Sequence, residues 1–175
     1  RAEEVSVFSG SGFDGYFGID NGLPYYASFS VGIEDIIALP DGSFALTENV
    51  FGSAAGTFYR QIRHISATGL VTNLAGDFTG NANCSYPDQY VDSKGSDARF
   101  CSLRGIDVNP EDGMLFVADG DVNSSLRAVL PDASVITVVY YPGLLLNKVG
   151  PLAVARDGAL LFANTTSPFS EEYVI

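Results

Sequence analysis

One β-hairpin is written three times in this chain of 175 residues, and that repetition constrains the fold more than any other feature. Asp41-Gly42, Asp112-Gly113 and Asp157-Gly158 each join two short apolar segments, in IIALPDGSFALTE, IDVNPEDGMLFVAD and LAVARDGALLFAN. Asp-Gly suits a tight turn that needs φ > 0, so each segment pair reads as antiparallel strands. More of the unit recurs around the hairpin. Ala27-Ser28-Phe29 precedes the first copy as Ala98-Arg99-Phe100 precedes the second, at an offset of 71 residues. Downstream, Arg60 to Ile65 matches Ser125 to Val129, and each leads through a turn into a further β-rich segment, Leu70 to Ala75 and Val135 to Tyr140.

The rest of the chain agrees with an all-β reading. Short segments rich in β-branched and aromatic residues alternate with Gly, Asp, Asn, Ser and Pro, and no segment sustains a helical apolar stripe over three turns. Apolar residues make up 46% of the sequence, which is enough to fill a core despite a net charge of -12. Besides the hairpins, Val5 to Ser9 reads as a strand at the start of the chain.

The order of elements is a Gly-rich lead with Ala-x-Phe, a strand, Asp-Gly, a strand ending in an acidic residue, then Ile-Arg-x-Ile and a Gly-x-Val-Thr-x-Leu-Ala-Gly strand. It resembles the NHL repeat of β-propellers, most clearly in IRHISATGLVTNLAG at 62–76 and DARFCSLRGIDVNPEDGMLFVADGDVNSSLRAV at 97–129. The resemblance implies blades of four-stranded antiparallel sheets. A first blade falls at about 10–76, a second at 77–142 and a partial third at 143–175, with 1–9 as a terminal strand completing another blade. The third copy departs from the pattern: it lacks the Ala-x-Phe lead and has Asn164 where an acidic residue is expected. The hairpin turns stand 71 and then 45 residues apart, and the excess in the first interval falls at Asn49 to Phe58 and Asp77 to Lys94, both read as loops.

Propellers close with about four to eight blades, so three blades make an incomplete ring. Val5 to Gly10 resembles the last strand of a unit, Val71 to Gly76, while the chain ends after the third strand of the third unit. Three arrangements follow: a section of a longer propeller, two copies closing a ring by exchanging terminal strands, or copies adding end to end in a filament. Unpaired edges of this kind invite association.

Three Asn-x-Ser/Thr triplets place candidate glycosylation sites at Asn83, Asn123 and Asn164, each in a polar, turn-like setting. Cys84 and Cys101 are the two cysteines of the chain, and a bridge between them would tie the second blade's insert down; two reduced thiols are the alternative. Together these features suggest an extracellular setting. The start at Arg1, without Met, reads as a processed or excised product. The acidic balance disfavours nucleic acid and anionic lipid as partners, and no apolar stretch reaches the roughly 18–20 residues a membrane helix needs.

Catalytic signals are thin. The single histidine, His64, lies on a strand within Ile-Arg-His-Ile and reads as a wall residue of the blade, not a general base. No nucleophilic triad, zinc spacing or phosphate loop appears, so no catalytic, cofactor or metal residue is assigned. Asp119-Gly120-Asp121-Val122-Asn123 offers three oxygen side chains at alternate positions, a weak Ca²⁺ pattern that no Glu closes. The resemblance instead implies that the acidic residue after the second strand and the Arg on the third tie each blade together: Glu48 with Arg63, Asp119 with Arg127. Aromatic residues near the start, among them Phe13, Tyr16, Phe17, Tyr25, Tyr26 and Phe29, fit either packing between blades or a ligand-lining surface. The expectation is a non-catalytic extracellular glycoprotein, a structural or protein-interaction module whose partners are other protein chains or the rest of a longer propeller. The alternatives are a propeller lyase or hydrolase and a receptor ectodomain.

Overall fold

In the computed structural model, residues 8–11, 20–52, 57–80, 90–120, 125–140, 149–164 and 172–174 are described. Among them the chain is all β, in three antiparallel sheets. The first runs β1 (Ile33–Ala38), β2 (Phe44–Phe51), β3 (Phe58–Ile65), β4 (Val71–Asp77) in that spatial order. The second repeats it with β5 (Leu103–Val108), β6 (Leu115–Asp119), β7 (Ser125–Val129) and β8 (Val135–Tyr140). The third has β9 (Val149–Val154), β10 (Leu160–Asn164) and β11 (Glu172–Val174). Each sheet is an up-and-down meander, and the first strands β1, β5 and β9 lie side by side. These are successive blades of a β-propeller arranged as an incomplete ring.

The hairpin turns form for a local reason. Gly42, Gly113 and Gly158 have φ of 83°, 73° and 83°, a region closed to most side chains. One carboxylate oxygen of the preceding Asp accepts the N–H two residues on, from Ser43 (3.0 Å), Met114 (2.9 Å) and Ala159 (3.1 Å) respectively. Aspartate and glycine thus reverse the chain in all three blades, through a turn one residue longer in the second.

Two expectations about the insertions need correction. The segment read as a loop from Asn49 to Phe58 begins and ends as strand: Asn49 pairs with Arg60, Val50 with Tyr59 and Phe51 with Phe58. Cross-strand apolar and aromatic pairs let the β2–β3 hairpin extend to Phe51 and Phe58, and Arg60 stacks on the rings of these two at 5.6 and 5.2 Å. The Asp77 to Lys94 segment is likewise not all loop, since Asp77 ends β4 and Val91 and Lys94 make isolated bridges to Arg99 and Ser134. Val5 to Val7 and Cys84 lie outside the described residues.

The core lies between blades. Ala45, Ile62 and Ala75 of the first sheet pack against Leu103 and Ile106 of the second and Phe100 of the segment leading into it, all at most 1% exposed. The next joint repeats the arrangement with Ala118 and Leu126 against Leu152 and Leu160. Apolar side chains from the two facing sheets pack closely enough to exclude water.

Candidate functional site

Each complete blade is pinned at its centre by a buried carboxylate facing a buried guanidinium. Glu48 ends the pairing of β2 with β1, and its Oε2 lies 3.5 Å from Nη1 of Arg63 on β3. Asp119 holds the matching place on β6, with Oδ2 3.2 Å from Nη1 of Arg127 on β7. All four side chains are inaccessible to water. Arg63 donates to the carbonyls of Ser28 and Asp20 (both 2.6 Å) and to the side-chain oxygen of Asn21 (3.1 Å), and its plane lies over the Phe29 ring at 4.9 Å. Arg127 donates to the carbonyls of Arg99 (2.9 Å) and Val91 (3.2 Å) and to the Asp92 carboxylate (2.8 Å), over the Phe100 ring at 5.2 Å. Every partner in the second set stands 71 residues after its counterpart in the first. The carboxylates also close the lead: Glu48 accepts the Ser30 N–H (2.7 Å), and Asp119 accepts those of Cys101 and Ser102 (2.8 Å each).

These groups hold; they do not react. Burial draws the Arg63 guanidinium below the usual arginine value and pushes the Asp119 carboxyl up against the pull of Arg127 and the two amides. With both charges desolvated and every hydrogen bond directed inward, the pairs can orient the lead, the second strand and the third strand of a blade, and have no path to a substrate.

A second set of carboxylates, unforeseen in the sequence, joins one blade to the next. Asp35 Oδ1 accepts the N–H of Ile36 at 2.8 Å while its Oδ2 accepts that of Ile106 on the neighbouring inner strand at 3.1 Å. Asp107 does the same, with Val108 (2.8 Å) and, across the next joint, Val154 (2.7 Å). Asn49 adds a two-way link to Leu103, donating to its carbonyl (2.7 Å) and accepting from its N–H (3.0 Å). The signal in the sequence was an aspartate inside an apolar inner strand, a residue that β-strands disfavour unless it has a backbone partner.

One cleft opens between the first two blades and another where the first strands of all three blades meet. The former, of about 430 Å³, lies at the turn end, walled by Leu39, Pro40, Pro110, Leu115 and Pro131, with Asp41 and the half-buried His64 at its margin. Hydrogen bonds from the Ser43 hydroxyl and amide hold the Asp41 carboxyl below its ordinary value, so it is a poor proton acceptor for His64. The other, of about 270 Å³, faces the ring centre beside Glu34, Asp35 and Arg104, where Glu34 is engaged by Arg104 at 3.4 Å and by Asn49 at 3.1 Å. Among the described residues no three His, Cys, Asp or Glu side chains converge on a metal position.

Of the remaining sequence candidates, Cys101 is disulfide-bonded, and Cys84 lies outside the described residues. Asn83 and Asn123 lie outside them as well, and so do Asp121 and Val122 of the oxygen-rich loop; Asn164 ends β10. Tyr25 and Tyr26 are 74% and 75% exposed in the turn after Leu23, whereas Phe29 is half-buried under Arg63.

The pattern of acid-sensitive groups gives a first prediction. Asp41 and Asp132 are held below the ordinary carboxyl value by the Ser43 and Ser134 groups they accept from. At Asp92 burial pushes upward, but the Thr137 amide and hydroxyl and Arg127 outweigh it, and the value is lowered. A depressed folded pKa contributes stability above the unfolded value, lost as pH falls through the folded one, so Tm should drop below about pH 4. Asp119, raised, has its whole linkage contribution present below the unfolded value and adds no slope there. Thermal unfolding between pH 6 and pH 2 should therefore show a shallower acid drop for Asp92→Asn; a parallel curve would contradict the assignment.

The outstanding surface is the face of the first sheet turned away from the second. Ile33 and Ile36 on it are 41% and 53% exposed, and with Phe8, Phe29 and Phe44 they line an open apolar groove of about 390 Å³. The hydrogen-bond register identifies its counterpart in the next blade. Ile33 faces Glu48 and Ile36 faces Leu46, as Leu103 faces Asp119 and Ile106 faces Val117. Leu103 and Ile106 are 0% and 1% exposed because the first blade covers them.

No family model matches the chain, and no curated protein matches it. It is similar to a solved structure provisionally described as a gluconolactonase, with a TM-score of 0.49 and 15% sequence identity over 82% of this chain and 43% of that one. The chain thus spans less than half the length of that protein.

Proposed function

We propose that this chain is a non-catalytic structural or protein-interaction module of an extracellular assembly, an NHL-like run of blades whose ring other protein completes. The observation that carries the reading is the open groove around Ile36, which matches position by position a face that is buried between blades one repeat later. An apolar sheet face of this kind favours being covered, at roughly 25 cal/mol per Å² of apolar surface removed from water. The buried charged pairs support the reading too, since they lend the blades rigidity and are engaged within them. The candidate glycosylation sites Asn83, Asn123 and Asn164 and the disulfide of Cys101 suit an oxidising, secreted environment.

Hydrogen exchange tests the reading directly. In protein recovered from the medium of its own cells, peptides covering 31–38 should exchange at least tenfold more slowly than in the purified chain at submicromolar concentration. Equal exchange in the two preparations would mean that nothing covers the groove in its working state, and the module reading would fall.

A further inference from the structure

We infer that the cleft at the turn end of the first joint is a binding site for a small hydrophobic amine. The apolar body of the ligand enters between the first two blades, and its ammonium group is held at the rim by Asp41 and His64. Three observations carry this assignment, all in the interior of the chain between residues 39 and 131.

The first is the space and its wall. The cleft holds about 430 Å³, within the roughly 300–1,000 Å³ that small-molecule sites occupy. Both blades contribute: Leu39 and Leu74 from the first, Leu115 and Leu130 from the second. Leu115 is 4% exposed and belongs to the sealed core of the joint. The exposed residues Pro40, Pro110 and Pro131 stand in three separate turns around the opening. Their φ angles are fixed by the pyrrolidine ring, so the mouth is shaped before anything enters and little ordering entropy is lost on binding.

The second is a departure from the repeat. At one register position the first blade carries Ala45 opposite His64, and the second carries Phe116 opposite Ala128. A phenyl ring thus packs into the second joint where the first has a methyl group with an imidazole beside it. The second blade forms without a polar side chain at this place, so the architecture does not call for His64.

The third is the state of the polar groups. Asp41 Oδ1 accepts the N–H and the hydroxyl of Ser43, while Oδ2 accepts nothing from the described residues. The half-buried imidazole of His64 makes no hydrogen bond with a described residue either. The Ser43 hydroxyl and amide, and to a smaller extent His64, hold the Asp41 carboxyl below its ordinary value, so it stands as an anion at neutral pH.

These groups select the ligand. An ammonium group donates to Asp41 Oδ2 and to the unprotonated nitrogen of His64, and gives each the partner it lacks. A carboxylate would meet the Asp41 charge with no lysine or arginine in the wall to offset it, in a chain of net charge -12. The apolar wall supplies most of the affinity, since an ion pair at an exposed rim adds only a few-fold.

The chain has a single histidine, so the imidazole C–H signals in its proton NMR spectrum report on this site alone. Naphthylmethylamine, naphthylmethanol and naphthoate, alike in ring size and different in charge, are titrated into the 175-residue chain at neutral pH. The amine should shift the histidine signals saturably, with a Kd of about 1 mM or tighter. The alcohol should bind about threefold more weakly and naphthoate about tenfold more weakly. Asp41→Asn keeps an acceptor for Ser43 and removes the charge, so amine and alcohol should then bind alike. Leu130→Trp fills the cleft and should abolish the shifts with circular dichroism and Tm unchanged; Leu74→Trp fills it from the other wall if Leu130→Trp alters the fold. Absence of a saturable shift, an alcohol or naphthoate that binds as tightly as the amine, a preference for the amine that persists in Asp41→Asn, or binding that survives the filled cleft would overturn the inference.

Discussion

Arg127→Met is expected to lower folding stability by about 3–5 kcal/mol, the cost of stranding one member of a buried ion pair. The arginine is fully buried, and its loss leaves the Asp119 carboxylate without a cation in a site closed to water. It also frees the carbonyls of Arg99 and Val91, which fix the lead of the second blade beneath its third strand. Asp119 keeps the N–H groups of Cys101 and Ser102, so Asp119→Asn combined with Arg127→Met should recover part of the loss, and only part. Arg127→Lys restores the charge without the planar fork and should fall between. Urea unfolding at neutral pH measures all three; a loss under 1 kcal/mol for Arg127→Met would mean that the pair does not pin the blade.

The second large effect is a contrast between two phenylalanines at equivalent places. Phe100 is 1% exposed between the first and second blades, beneath the Arg127 plane, and Phe100→Ala should cost about 3–5 kcal/mol in lost burial and residual cavity. Phe29 meets Arg63 in the same way but borders the open groove, so Phe29→Ala should cost half of that or less in dilute solution. Denaturation series at submicromolar concentration read the two costs, and equal losses would speak against the contrast.

Much of the blade was legible in the chain. Asp41-Gly42 and its two copies announce their turns because an Asx hydrogen bond and a positive φ are local events, settled within four residues. The pairing of Glu48 with Arg63 and of Asp119 with Arg127 came through the resemblance to a known repeat, and each pair is in contact in the structure. Illegible were Asp35, Asp107 and Asn49. Each bonds to backbone of another blade 47 or more residues away, and a backbone N–H carries no mark in the sequence of which side chain it will meet. The segment read as a loop from Asn49 to Phe58 begins as strand for a related reason: Asn49 is held by Leu103 across the joint and by Arg60 beside it.

By itself the sequence determined the all-β character, the order of strands within a blade and the sites of reversal, because alternation of apolar side chains and Asp-Gly chemistry act over a few residues. Only the tertiary structure decided which apolar face is buried and which is open. Ile36 and Ile106 occupy the same place in their blades and are chemically alike, yet one is half exposed and the other sealed. The difference lies in whether another sheet stands in front, and burial belongs to neighbours in space, which spacing along the chain does not record.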